Sequence, residues 1–102
     1  MDRKIIKIVK QYSNLVRKDI ADVEMIVLYG SALRGEMKEY SDIDIAVIID
    51  DLKEDYLDLS SKLFELVRKV DIRIEPNLLV RKYNKSGFIE TVLKEGKVIY
   101  TV

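Results

Sequence analysis

The 102-residue chain has no cysteine, no histidine and no tryptophan, a single proline and four glycines. Without cysteine there is no disulfide, no thiolate nucleophile and no cysteine zinc site. Without histidine there is no Ser-His-Asp triad, no ordinary base for neutral pH and no imidazole for a transition metal. An excess of one charge is missing too. Eighteen Lys and Arg balance eighteen Asp and Glu, so the broad positive field of a general nucleic-acid binder is absent, and direct nucleic-acid binding is not expected. No apolar run approaches the roughly 20 residues that span a bilayer. The amino-terminal MDRKIIKIVKQ is charged and amphipathic, without the apolar stretch of a signal peptide. The expectation is a cytoplasmic protein outside the membrane, whose chemistry, if it has any, falls to carboxylates.

What is present argues for a folded domain. Hydrophobic residues make up 48% of the chain, enough for a core, and no linker, repeat or low-complexity tract interrupts it, so residues 1–102 are expected to form one domain. Charge is unevenly spread: residues 1–20 hold six bases against two acids, whereas residues 36–58 hold nine acids against two bases. Most of that acidic block, such as DDLKEDYLD, suits a solvated surface. Asp42 and Asp44 differ because they sit in an apolar run.

The hydrophobic pattern alternates between helix and strand. Ile5, Ile8, Val9, Tyr12, Leu15 and Val16 recur every three or four residues, which predicts an amphipathic helix over 2–18 with a basic outer face. Residues 24–29 read as a short buried strand stopped by Gly30-Ser31, with a short helix from Ser31 to about Met37. SDIDIAVII, residues 41–49, reads as a central strand with one polar tip. A helix over 53–69, a strictly alternating strand over 70–75 before Pro76, a helix over 86–95 and an edge strand over 97–102 complete the pattern. Helices between strands predict an α/β sandwich with a partly parallel or mixed sheet.

Three features point to phosphate and metal chemistry. Gly30-Ser31 lies between a strand and a helix start, where backbone N–H groups favour an anion and glycine lets a phosphate approach. The same pair also suits a turn glycine followed by a capping serine. In Asp42-Ile-Asp44 the two-residue strand period sends both carboxylates to one face. Such a pair repels unless a cation neutralises it, and oxygen ligands alone suit Mg²⁺ or Mn²⁺; it would also serve as the soluble tip of an exposed strand. In Val70-Asp-Ile-Arg-Ile-Glu75 the alternation places Asp71, Arg73 and Glu75 on one face. Beside the 41–49 strand, Asp71 would supply a third carboxylate able to complete a two-metal site and accept a hydroxyl proton. An outward-facing polar residue is the alternative.

Residues 30–47, GSALRGEMKEYSDIDIAV, resemble the signature of the DNA polymerase β-type nucleotidyltransferase superfamily: Gly-Ser, ten intervening residues, then Asp-x-Asp. Arg34-Gly35-Glu36 and Ser41 resemble its minimal nucleotidyltransferase (MNT) subgroup, and the order of elements and the Gly96-Lys-Val-Ile-Tyr100 ending extend the likeness over nearly the whole chain. The resemblance implies an α/β (α+β) nucleotidyltransferase fold, a small mixed sheet with helices on one face and the acidic site on the other. It implies attack of an acceptor hydroxyl on the α-phosphate of ATP or another NTP. Gly30 and Ser31 would cradle the β- and γ-phosphates, with Arg34 nearby. Asp42, Asp44 and Asp71 would hold two Mg²⁺ or Mn²⁺ ions roughly 3.5–4 Å apart, and Asp71 would activate the acceptor. Arg34 and Arg73 suit either a phosphate or partner contact or an exposed ion pair.

Larger members of the superfamily carry extra domains for the acceptor, which 102 residues cannot hold. The MNT resemblance implies that a HEPN-domain RNase toxin supplies the acceptor, a tyrosine that the MNT antitoxin modifies with AMP. Two other readings stay open: a non-catalytic partner that blocks a toxin by binding, and a small-molecule nucleotidyltransferase whose acceptor pocket is completed in a homo-oligomer.

Overall fold

A computed structural model describes residues 3–35 and 41–102. Helix α1 (Arg3–Asp19) is followed by strands β1 (Val23–Tyr29) and β2 (Ile43–Ile49), helix α2 (Tyr56–Val67), strand β3 (Ile74–Val80), a 3₁₀ turn (Arg81–Tyr83), helix α3 (Phe88–Glu95) and strand β4 (Lys97–Thr101). The sheet order is β3-β2-β1-β4, with β1 antiparallel to both β2 and β4, and β3 parallel to β2. The expected mixed α/β sheet is therefore present.

The 3.6-residue period explains how α1 docks. Ile5, Val9, Tyr12 and Val16 form one buried stripe, which meets Leu59, Leu63 and Leu66 of α2 and the side chains of Ile26, Leu28, Ile43, Ile45, Val47 and Ile49. The opposite sheet face carries Val27, Ala46 and Ile48, covered by Ile89 and Val92 of α3. Thus α1 and α2 share one face, while α3 packs on the second, the face that also carries Asp44. β2 is apolar on both faces because both are covered, and Asp44 stands on the α3 face, in step with Ala46 and Ile48.

The buried hydroxyl of Tyr12 donates to the carbonyl of Leu63 at 2.7 Å and ties α1 to α2. Burial keeps this phenol protonated far above its ordinary range. Tyr12→Phe is expected to cost about 1 kcal/mol and to lower the melting temperature by about 4–8 °C, measured by thermal unfolding in parallel with the parent chain.

β2 begins at Ile43, so Asp42 stands just before the strand expected over 41–49 and not within it, and two further stretches differ from the sequence reading. Ser31–Gly35 form hydrogen-bonded turns instead of a helix, with the N–H groups of Leu33 and Arg34 both donating to the Gly30 carbonyl at 3.2 and 3.3 Å. Gly35, at φ +72°, breaks the right-handed course; the rest of that expected helix, Glu36 and Met37, lies outside the described residues. The third strand runs over 74–80, not 70–75. The end of α2 captures the intervening residues, since the N–H groups of Val70 and Asp71 both donate to the Val67 carbonyl. Pro76 then lies inside β3, which an edge strand tolerates.

Candidate active site

Register builds the site. Tyr29 of β1 stands opposite Asp44 of β2, and Asp44 stands opposite Glu75 of β3, so three side chains form a row across the sheet. All three share the α3 face, because each is an even number of residues from an α3-facing neighbour: Val27, Ala46 and Leu79. Asp42, two residues before Asp44, extends the row toward solvent. Asp44 is half-buried, whereas Asp42 and Glu75 are more open to solvent.

The carboxylates crowd one another. Burial first, and then the charge of Asp42, raise the carboxyl of Asp44 above its ordinary range, against a lowering by Arg34. A hydrogen bond with Asp42 is the main cause of the upward shift of Glu75, with the charges of Asp42 and Asp44 adding to it. Like charges gathered on one small face are the situation a cation relieves. Among the described residues no three acidic side chains close into a single ion-sized cluster. Asp42, just before β2, is close enough for its charge to act on Asp44, and the two together still fit Mg²⁺, which is usually held by one or two carboxylates together with substrate phosphates.

Gly30 gives the site its tight corner. It adopts φ +80°, and a β-carbon there would run into the Oδ2 of Asp44, with the Asp44 Cγ 3.3 Å away. The missing side chain thus lets the turn backbone lie directly against the carboxylate. Ser31 follows half-buried, and Arg34, in the same turn, is near enough to act electrostatically on Asp44. Gly30, Ser31, Arg34, Asp42 and Asp44 are accordingly brought to one end of the sheet.

Asp71 is not brought there. It lies in the turn before β3, where its Oδ1 accepts from the Arg73 backbone N–H at 2.9 Å and from Arg73 Nε at 3.0 Å, and its Oδ2 from Nη2 at 2.8 Å. This fork holds the Asp71 carboxyl below its ordinary range. The expectation that Asp71 converges with Asp42 and Asp44 is corrected: with β3 beginning at Ile74, Glu75 takes the position opposite Asp44.

Sequence reasoning also missed the apolar wall. The Nδ2 of Asn77 donates to the Tyr29 hydroxyl at 2.7 Å, and the ring of Phe88 meets that of Tyr29 edge to face at 6.1 Å. Burial and the neighbouring Asp44 push the Tyr29 phenol up to about 12, so it stays protonated at neutral pH. Forty-eight residues separate Tyr29 from Asn77, and no local pattern signals their contact.

A small mixed sheet with this helix order, in which a Gly-Ser turn and an Asp-x-Asp strand meet at one sheet end, is the architecture of a nucleotidyltransferase. Residues 3–102 match the sequence profile described as Polymerase beta, Nucleotidyltransferase. The chain belongs to that family. A Methanocaldococcus jannaschii protein with the provisional name protein adenylyltransferase is 35% identical over 97 residues, covering 92% of this chain and 96% of the relative. Among solved structures, a provisionally named nucleotidyltransferase of Sulfolobus solfataricus superposes with a TM-score of 0.68 at 20% identity, covering 96% of this chain and 81% of that one. A complex of tri-AMPylated Shewanella oneidensis HEPN toxin with MNT antitoxin contains a chain of TM-score 0.60 at 21% identity, with coverage of 95% and 73%.

Proposed function

We propose that this protein transfers AMP from ATP to a tyrosine hydroxyl of a HEPN-domain partner in the cytoplasm, acting as the antitoxin of that partner. The observation that carries the chemistry is the nearness of two carboxylates, Asp42 just before β2 and Asp44 within it, with the Gly30 turn lying against Asp44. The names of the relatives support the choice of AMP and of a protein acceptor.

The roles follow from position. Gly30 and Ser31 present the turn backbone to the β- and γ-phosphates, and Arg34 adds a positive charge on the same flank. Asp42 and Asp44 would hold Mg²⁺ or Mn²⁺, with substrate oxygens supplying the remaining ligands. The cation supplies charge neutralisation at the α-phosphate and orientation of entering and leaving oxygens. The acceptor oxygen bonds to the α-phosphorus, the bond to the bridging α–β oxygen breaks, and pyrophosphate leaves. The hydroxyl proton passes to a carboxylate, for which Glu75 is placed; Asp71, locked by Arg73, positions the turn that delivers Glu75.

Intact-mass spectrometry tests this reading. Incubation of the HEPN-domain partner with this protein, Mg²⁺ and ATP is expected to add the mass of AMP to the partner, and Asp42→Asn is expected to abolish the gain. A stable complex without any mass gain would make the protein a binding antitoxin. Modification of a small hydroxyl compound without the partner would make it a small-molecule enzyme.

A further inference from the structure

Beside the carboxylate row, on the flank away from the Gly30 turn, a cavity of about 360 Å³ is lined by Asp42 and Glu75 together with Phe64, Arg68, Ile72 and Ile74. It lies within the range of about 300–1,000 Å³ typical of ligand sites. Its lining includes exposed apolar side chains: Phe64, in the last turn of α2, is 50% exposed, and Ile72, in the turn that follows the helix, is 84% exposed. We infer that this groove is where the acceptor enters: Phe64 and Ile72 hold the tyrosine-bearing segment of the partner protein, so that its hydroxyl reaches Glu75 and Asp42. This rests on the protein-directed transfer proposed above.

In-line displacement supplies the direction. Entering and leaving oxygens lie on opposite sides of the α-phosphorus. The strand order β3-β2-β1 puts Gly30, at the end of β1, on one side of Asp44, and Glu75 of β3 on the other. With the leaving pyrophosphate on the Gly30 and Arg34 flank, the entering hydroxyl comes from the β3 flank, where the groove opens. A tyrosine matches the groove's mixed lining, because its ring can cover Phe64 and Ile72 while its hydroxyl meets the carboxylates. Serine or threonine would leave the apolar rim in water. Arg68 favours an acidic residue beside that tyrosine.

The test separates docking from chemistry. The double variant Phe64→Ala, Ile72→Ser removes exposed side chains, so folding is expected to be intact by thermal unfolding. The KM for the HEPN-domain partner is expected to rise about 10-fold or more, while the KM for ATP and the kcat at saturating partner stay within about twofold; Phe64→Leu should recover most of the loss. An unchanged partner KM would overturn the proposal. Independently of transfer, a photoreactive benzoylphenylalanine replacing Ile72 is expected to crosslink the partner's tyrosine-bearing segment. The same group at Leu57, an exposed apolar position at the other end of α2, should not. Crosslinking from 72 without AMP transfer would keep the groove and refute the protein-directed transfer; crosslinking from 57 alone, or no complex at all, would refute the groove.

Discussion

Asp44→Asn is expected to abolish nucleotidyl transfer, by at least about a thousandfold, while making the protein without metal more stable than its parent. The activity falls because Asp44 is the half-buried member of the Asp pair, at the centre of the row and against the Gly30 turn. The stability rises because the same carboxylate is ionised beside Asp42 in a partly desolvated place, which raises its carboxyl above the unfolded value. For an acid raised in the folded state, the native protein binds more protons than the unfolded chain. Its ionisation therefore weakens the fold as pH rises from the unfolded value of about 3.9 through the folded one, the full penalty holding above that, and has no effect well below the unfolded value. An asparagine of the same shape carries no such penalty. In chelator, the melting temperature of the variant should exceed that of the parent at pH 7.5, and the two should converge toward pH 4. Mg²⁺ with ATP should raise only the parent, by mass action on its native state. A variant less stable than its parent at pH 7.5 would contradict this placement of Asp44.

Gly30→Ala is the second large effect. At φ +80° an alanine costs about 1–2 kcal/mol in backbone strain alone, and its β-carbon collides with the Asp44 carboxylate. Displacing a catalytic side chain by about 1 Å can cost a hundredfold in rate, so transfer is expected to fall by about 10²-fold or more. Gly35→Ala separates the two causes: Gly35 shares the left-handed backbone at φ +72°, yet no described atom lies within 4 Å of the place its β-carbon would take. It should lose similar stability and much less activity, as read by thermal unfolding and kcat/KM side by side. Equal activity losses in the two variants would show that turn conformation, not contact with Asp44, makes Gly30 necessary.

How much of this was legible in the sequence depends on the range of the interactions involved. β1 and the body of β2 follow from apolar runs, because local pattern and tertiary burial agree there, whereas the strand period expected to carry both acids reaches only Asp44, since β2 begins at Ile43. β3 did not follow. Val70, Ile72 and Ile74 do alternate, but two backbone bonds to the Val67 carbonyl prolong the helical course into that stretch, a tertiary choice that alternation cannot reveal. The shift moved the third acid: Asp71 and Glu75 have the same parity, and only the strand start decides which of them faces Asp44. Arg73, two residues from Asp71, offered a bidentate partner that the alternation hinted at by placing both on one face. The turn after Gly30 misled in the other direction, since Ser31 fits a helix cap while Gly35 ends the right-handed course within a single turn.

Under the proposed function, the carboxylate row directs attack at the α-phosphorus of ATP. The most direct measurement follows two labels in parallel reactions of this protein with Mg²⁺ and the HEPN-domain partner, one with ATP labelled at the α-phosphate and one at the γ-phosphate. The α-label is expected to become bound to the partner, the γ-label to leave as pyrophosphate in equal amount, and both signals to vanish in Asp42→Asn. Transfer of the γ-label to the partner, or transfer of α-label that survives Asp42→Asn, would contradict it.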